Sequence, residues 1–338
     1  MKSLFTAYLL FSLVNGVVVP SNAQQTGRAA SAPQLLGGIA FCGGKEQGKR
    51  YDIFQVNADG SGMRLITGDD NQRWQWNCCP AWSPDGSELA FASTDGRINW
   101  TSHAGLFIVD PASRKIRLLF RDDEMWPRDP AWAPDGKRLV FARGQKTKKA
   151  VGALHLKIAL ICAQEQLFSI KSDGSGLQQL THDANFNARP AWSPDGTDIA
   201  YMSGPPKEEG RKADILIMQA DGSNPRKLTN GGANEVNGDP AWSPDGKEVA
   251  FCSNRTGSYE LYVVNPDGTN LRQITHDTPD GVRLPSWAPD GRQIVFSAAS
   301  GKAWPLRIVN SDGTNVRVVT KVGWHPSVGR TPEWGSAR

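Results

Sequence analysis

The chain has 338 residues, 39% hydrophobic and 21% charged, so it is long enough for a large buried core and too apolar for a disordered polypeptide. Its 38 basic and 34 acidic residues are interspersed, leaving a formal charge of +4 and no basic run beyond Lys146–Lys149, which excludes an electrostatic nucleic-acid stripe. The excesses are 35 Gly and 12 Trp, which point to many tight turns between short strands.

In chain order, the first element is an address. Met1-Lys2 is a short basic start, Leu4–Val19 is almost wholly apolar, and Pro20 breaks the run before the small residues of Ser21-Asn22-Ala23. This pattern predicts a signal peptide over 1–23, cut after Ala23, and a periplasmic or secreted product. The run contains Asn15 and Gly16 and is short for a membrane span, and no later stretch could cross a bilayer, so no span is expected after signal removal. Residues 24–38, rich in Ala, Gln, Ser and Gly, read as a linker.

From residue 39 onward one unit repeats. Pro80–Gly86 reads PAWSPDG and returns at Pro130–Gly136, Pro190–Gly196, Pro240–Gly246 and Pro285–Gly291, with a truncated copy at Thr331–Gly335. The repeat tryptophans fall at 82, 132, 192, 242, 287 and 334, a period of 45 to 60 residues that matches one four-stranded blade. In each unit Pro-Ala-Trp-Ser predicts an inner strand A, and Pro-Asp-Gly turns it into strand B, for example Val249-Ala250-Phe251. Strand C alternates, as in Asp214–Met218, and ends in an Asp-Gly hairpin before a short strand D such as Arg272–Thr275. Residues Ile39–Thr67 supply strands B, C and D without a strand A, whereas Thr331–Trp334 supply a strand A with nothing after it. Joining them predicts an all-β, six-bladed β-propeller over 39–338, with four-stranded antiparallel blades and a ring closed by a C-terminal strand on the N-terminal blade.

The phrases P-A-W-S-P-D-G-K-x-[IV]-A-F, [IL]-Y-V-x-N-x-D-G and [RL]-x-[IL]-T resemble the repeat of the TolB-like propeller family, best in Asp239–Thr275. Only about fifteen residues stand where TolB itself carries an α/β domain. The resemblance implies the fold across 39 to 338. For function it implies either binding scaffolds or a few lyases and lactonases that use a metal at the channel mouth.

The repeat carboxylates Asp85, Asp135, Asp195, Asp245 and Asp290 sit in turns and are read as caps for local N–H groups. The Asn-x-Asp-Gly segments at Asn57, Asn265 and Asn310 lack the later acidic ligands of a calcium loop and are read as hairpins. The six repeat tryptophans are read as core between blades. Off the repeat, Trp74, Trp76, Trp126 and Trp324 fall in D–A connections and Trp100 in a B–C connection, on one face of the disc. Arg128, Asp129, Arg189, Asp239, Arg283 and Arg330 stand just before strand A, where the chain approaches the channel. Trp and Arg are enriched at interface hot spots, so Trp74, Trp76 and Trp126 with these charged residues are the candidate partner-binding set. A long B–C connection from Gly144 to Glu165 includes apolar Ala150–Ala163, readable as a short helix or an extended strand. The five cysteines (42, 78, 79, 162 and 252) have no metal-ligand spacing, and the pairing of Cys78 and Cys79 is left open.

No nucleophile elbow, metal-binding His pair or phosphate loop appears. The sequence therefore supports an exported, non-catalytic scaffold for a protein, peptide or glycan of the cell envelope, with no cofactor and no nucleic-acid partner. The alternative is a metal-dependent propeller enzyme, of lyase or lactonase type, acting on a carbohydrate or lactone with an ion at the channel mouth.

Overall fold

The computed structural model describes residues 38–45, 50–68, 77–94, 104–122, 125–145, 165–206, 212–278, 281–298, 304–320 and 333–334. The leader and nearly all of the linker, Trp74, Trp76, Trp100, Trp324, Arg330, Cys162 and most of the 144–165 connection lie outside the described residues. The described chain forms six four-stranded antiparallel sheets and no helix. The inner strands are Glu333–Trp334, Cys78–Trp82, Met125–Trp132, Phe186–Trp192, Asn237–Trp242 and Val282–Trp287, for blades 1 to 6. Blade 5 is representative, with Val249–Ser253, Glu260–Val264 and Arg272–Gln273 following its inner strand.

Closure of the ring is as the repeat predicts. In blade 1 the strand order places Glu333–Trp334 beside Ile39–Lys45, pairing Ile39 with Trp334 and Ala40 with Glu333. The sequence extremes thus share one sheet, and neither leaves an inner edge exposed.

The core lies between blades, because strands B and C are short and apolar on both faces. Phe141 of blade 3 packs on Phe120 of blade 2 at 5.6 Å between ring centres and on Phe168 of its own blade at 6.1 Å. Turn chemistry follows the sequence closely. Asp85 accepts from the Ser83 and Ser87 hydroxyls and the Ser87 N–H, and the same pattern recurs at Asp195. The Ser83 hydroxyl and then the Ser87 amide hold the Asp85 carboxyl below its ordinary value. In the C–D hairpins Asp59, Asp267 and Asp312 accept likewise from Ser61, Thr269 and Thr314.

The threonine that ends each Leu-Thr phrase locks strand D to strand C. Thr67, Thr181, Thr229, Thr275 and Thr320 accept, through Oγ1, the backbone N–H of Ile53, Leu167, Ile215, Leu261 and Leu306 at 2.8 to 3.0 Å. Three of these hydroxyls donate onward to the buried carboxylates of Asp52, Asp214 and Glu260. Strand D is only two residues long in five blades, so this side-chain lock supplements a short ladder.

Neighbouring blades are joined by two kinds of fastener. The indole N–H of Trp82, Trp132 and Trp287 donates to a carbonyl of the preceding blade, at Gly38, Ala81 and Ala241, with distances of 3.1 to 3.2 Å. On the outside, the arginine that opens strand D reaches the next blade's C–D turn. Arg64 donates to Pro111 O, Arg117 to Ser172 O, Arg226 to Pro266 O, Arg272 to Ser311 O and Arg317 to Ala58 O. The last of these closes the ring a second time, between blades 6 and 1.

Candidate functional site

The site is built on the residue immediately before each strand-A proline. Cys79, Asp129, Arg189, Asp239 and Leu284 all have positive φ, between 52° and 57°. At each place the A–B register shifts. In blade 4, Ala188 pairs with Met202 and Ala191 with Ala200, so Arg189-Pro190 stand opposite Tyr201 alone. This is a β-bulge, and proline suits it because it has no N–H to remove from the ladder. A left-handed conformation is costly for side chains such as Leu and Cys, and the repeated ladder on either side imposes it. All five bulged residues line one central cavity of about 400 Å³.

Three of the bulged side chains form an ion chain across blades 3, 4 and 5. Arg189 Nη1 lies 2.7 Å from Asp129 Oδ1, and Arg189 Nε lies 3.5 Å from Asp239 Oδ1. Asp239 Oδ2 also accepts the Leu284 N–H at 3.3 Å. Burial pushes the Asp129 carboxyl up, but Arg189 and Arg128 outweigh it and hold the pKa below the ordinary value. Burial opposes the Arg189 charge in the same way, and Asp129 and Asp239 outweigh that, raising its pKa. Cys79 joins the wall from blade 2. Its thiol is pushed well up, first by its hydrogen bond with Cys78 and then by burial, so it is no nucleophile at neutral pH. Cys42, Cys78, Cys79 and Cys252 are all buried free thiols, so the 78–79 pair is not a disulfide.

The wall beyond this layer runs along the inner strands towards the A–B turns. It consists of the strand-A prolines, Trp132, Trp192, Trp242 and Trp287, and turn prolines such as Pro134 and Pro289. Here the tryptophans divide. Trp132 and Trp287 are buried and use their indole N–H in the interblade bond. Trp192 and Trp242 are more exposed, they line the cavity, and their Nε1 atoms have no acceptor among the described residues. Both still pack against the hydrophobic cluster between their own blade and the preceding one, as expected of repeat tryptophans, and differ from Trp132 and Trp287 in exposure and in the unbonded indole.

The other charged candidates stand one residue earlier, in a different layer. Arg128 pairs with the buried Glu165 at 2.5 Å and lies 3.7 Å from Asp129. Arg283 places its guanidinium 3.1 Å above the centre of the Tyr259 ring. Trp126 is half-buried on the same strand as Arg128. Glu165, Cys79 and Leu284 were not singled out by the sequence. Aligning the residue before each PAW phrase would have found the last two, whereas Glu165 was hidden behind the long connection. The described histidines near the D–A connections, His182 and His276, are exposed. Among the described residues no three His, Cys, Asp or Glu side chains gather as metal ligands, and no helix is long and apolar enough to cross a membrane.

A family model for the TolB β-propeller domain matches residues 70–235 and 156–336. The chain belongs to that family. Among solved structures, TolB from Acinetobacter baumannii superposes with a TM-score of 0.69 at 18% identity, covering 90% of this chain and 68% of that one. A putative TolB from Agrobacterium tumefaciens gives 0.63 at 19% identity, covering 88% and 93%. An oligogalacturonate lyase from Vibrio parahaemolyticus gives 0.55 at 16% identity, covering 83% and 74%. At these identities the TolB likeness and the lyase likeness alike show the fold. No curated relative matches the chain in sequence.

Proposed function

We propose that this TolB-family propeller is an exported, non-catalytic scaffold that holds a protein or peptide partner of the cell envelope. The observation that carries the reading is the ion chain. Both channel carboxylates are committed to Arg189, and a carboxylate paired in this way serves binding and orientation better than proton transfer. The leader at 1–23 supports export, and N-terminal sequencing of the exported protein should begin at Gln24. Recovery with Met1 retained would remove export from the proposal.

The partner docks on the D–A and B–C face, to which the sequence assigns Trp74, Trp76, Trp126, Arg128, Arg283 and Arg330 together with the channel charges Asp129, Arg189 and Asp239. Arg128 is unsuited to a clean test, because its loss would strand the buried Glu165. Trp126→Ala and Arg283→Gln are the better variants. Cross-linked capture from an envelope extract should fall about tenfold or more with each. Lys247→Ala and Thr269→Ala, on the opposite turns, should leave it unchanged, and the reverse pattern would sink the face assignment.

The metal-dependent lyase is the second reading, favoured by an oligogalacturonate lyase in complex with manganese among the structural neighbours. Manganese-stimulated cleavage of oligogalacturonate by the purified protein would replace the scaffold with the enzyme.

A further inference from the structure

A second binding feature lies at the opposite mouth of the channel, and it goes beyond the docking face proposed above. The charged residues that line the cavity are Asp129, Arg189 and Asp239, two carboxylates to one guanidinium. Neither neighbouring arginine lines it, since Arg128 is engaged by Glu165 and Arg283 rests on Tyr259. Within this layer Asp239 is the less tightly held carboxylate. Its two contacts are 3.3 and 3.5 Å against 2.7 Å at Asp129, and its side chain is 13% exposed against 4%.

The walls decide the sign and shape of a ligand. Five strand-A prolines and the turn prolines give no N–H groups, and the Trp192 and Trp242 indole nitrogens are themselves buried, so the cationic group an anion would find is Arg189, already shared by two carboxylates. A purely apolar ligand would cover Asp239 and strip its water without replacing it. A cation satisfies both constraints. It neutralises the excess carboxylate, and the partly exposed Trp192 and Trp242 line the cavity with the ring type that attracts cations most strongly. About 400 Å³ accommodates one long side chain with its flanking backbone, not a folded element.

We infer that this cavity takes the basic side chain of a lysine or arginine carried on a partner polypeptide. Its aliphatic stem lies along the Trp and Pro walls and its charged head meets Asp239. The inference rests on the scaffold reading only in taking the ligand to be a polypeptide.

The test uses capped tripeptides Ala-X-Ala titrated calorimetrically into the intact protein, with X as Lys, Arg, norleucine or Glu. The Lys and Arg peptides should bind at least about tenfold more tightly than norleucine, which has the same stem without the charge, and the Glu peptide should not bind. Asp239→Asn should bring Lys down to the norleucine level. Trp192→Leu and Trp242→Leu should each weaken Lys by several-fold, and they serve as the second probe if Asp239→Asn lowers the melting temperature. Equal binding of Lys and norleucine, tighter binding of Glu, no binding by any peptide, or an Asp239→Asn protein that still prefers Lys would each overturn the inference. Loss of peptide binding with rim-sensitive partner capture intact would end the cavity inference alone. Peptide binding with capture indifferent to Trp126 and Arg283 would end the docking face instead.

Discussion

The seam between blades 2 and 3 and the seam between blades 3 and 4 come from the same repeat and are fastened differently. The first has both recurrent fasteners, Trp132 to Ala81 O inside and Arg117 to Ser172 O outside, and adds the Arg143–Asp122 pair. The second has neither. Trp192 Nε1 finds no acceptor among the described residues, and Gln178 stands where blades 1, 2, 4, 5 and 6 have arginine. Besides the buried cluster common to both blades, its polar links are Arg189 to Asp129 in the channel and Gln166 to the carbonyls of Asp183 and Asn185. On its other side blade 4 keeps the outer clasp of Arg226 to Pro266 O, while the indole bond is again missing among the described residues, at Trp242. The charges that line the candidate site are at the same time a seam of the ring.

Arg189→Met is expected to do the most damage. It leaves Asp129 buried without its main cation, and removal of one member of such a pair costs about 3–5 kcal/mol. Chemical denaturation that showed a loss below about 1 kcal/mol would mean that Asp129 does not depend on Arg189 for its charge partner. The same pair should be visible in acid. The folded pKa of Asp129 is depressed below its ordinary value of 3.8, so its contribution is fully present above 3.8 and is lost as pH falls from there through the folded value. Asp129→Asn should flatten that acid limb, and an unchanged limb would assign it to other carboxylates.

The indole fasteners should give a smaller effect. Trp132→Phe removes a donor and leaves the buried Ala81 carbonyl short of one, at about 1–2 kcal/mol beyond the change in packing. Trp192→Phe removes a donor that was bonding to nothing described, so its melting temperature should move less. Equal shifts would show that packing, not the hydrogen bond, separates the two seams. Smallest of all, Gln178→Arg should give the third seam the clasp it lacks. An exposed bond of this kind contributes a few tenths of a kcal/mol to about 1, read as a small rise in melting temperature.

The fold was legible because its signals are local. A turn needs Pro-Asp-Gly or Asp-Gly at fixed offsets, and the half-blades at the two ends could join in one way only. The tryptophans were legible as interblade packing, but not which of them bond across the seam: Trp192 and Trp132 are one residue type in one phrase, and only Trp132 finds a carbonyl acceptor among the described residues. The channel charges were legible as a group but not as a layer. Arg128 and Asp129 are adjacent in sequence, yet the bulge turns Asp129 into the cavity and leaves Arg128 to Glu165. No residue type marks that bulge, since Cys, Asp, Arg, Asp and Leu all adopt it. The clasp arginines recur visibly after the hairpins, but their acceptors are carbonyls, which carry no sequence signature.

The bulge has a bearing on how such a ring changes over time. An unpaired position between two fixed ladder steps has no cross-strand neighbour to satisfy, so its side chain is free to vary while the sheet around it stays the same. The five such positions among the described residues, one in each of blades 2 to 6, amount to a combination lock facing a common axis. Single codon changes could turn one dial at a time, converting an acidic lumen into a basic or greasy one while every hydrogen bond of the blade stays where it was. A designer who wanted a new lumen could begin at Leu284 and Cys79, the two dials whose side chains carry no charge in the ion chain.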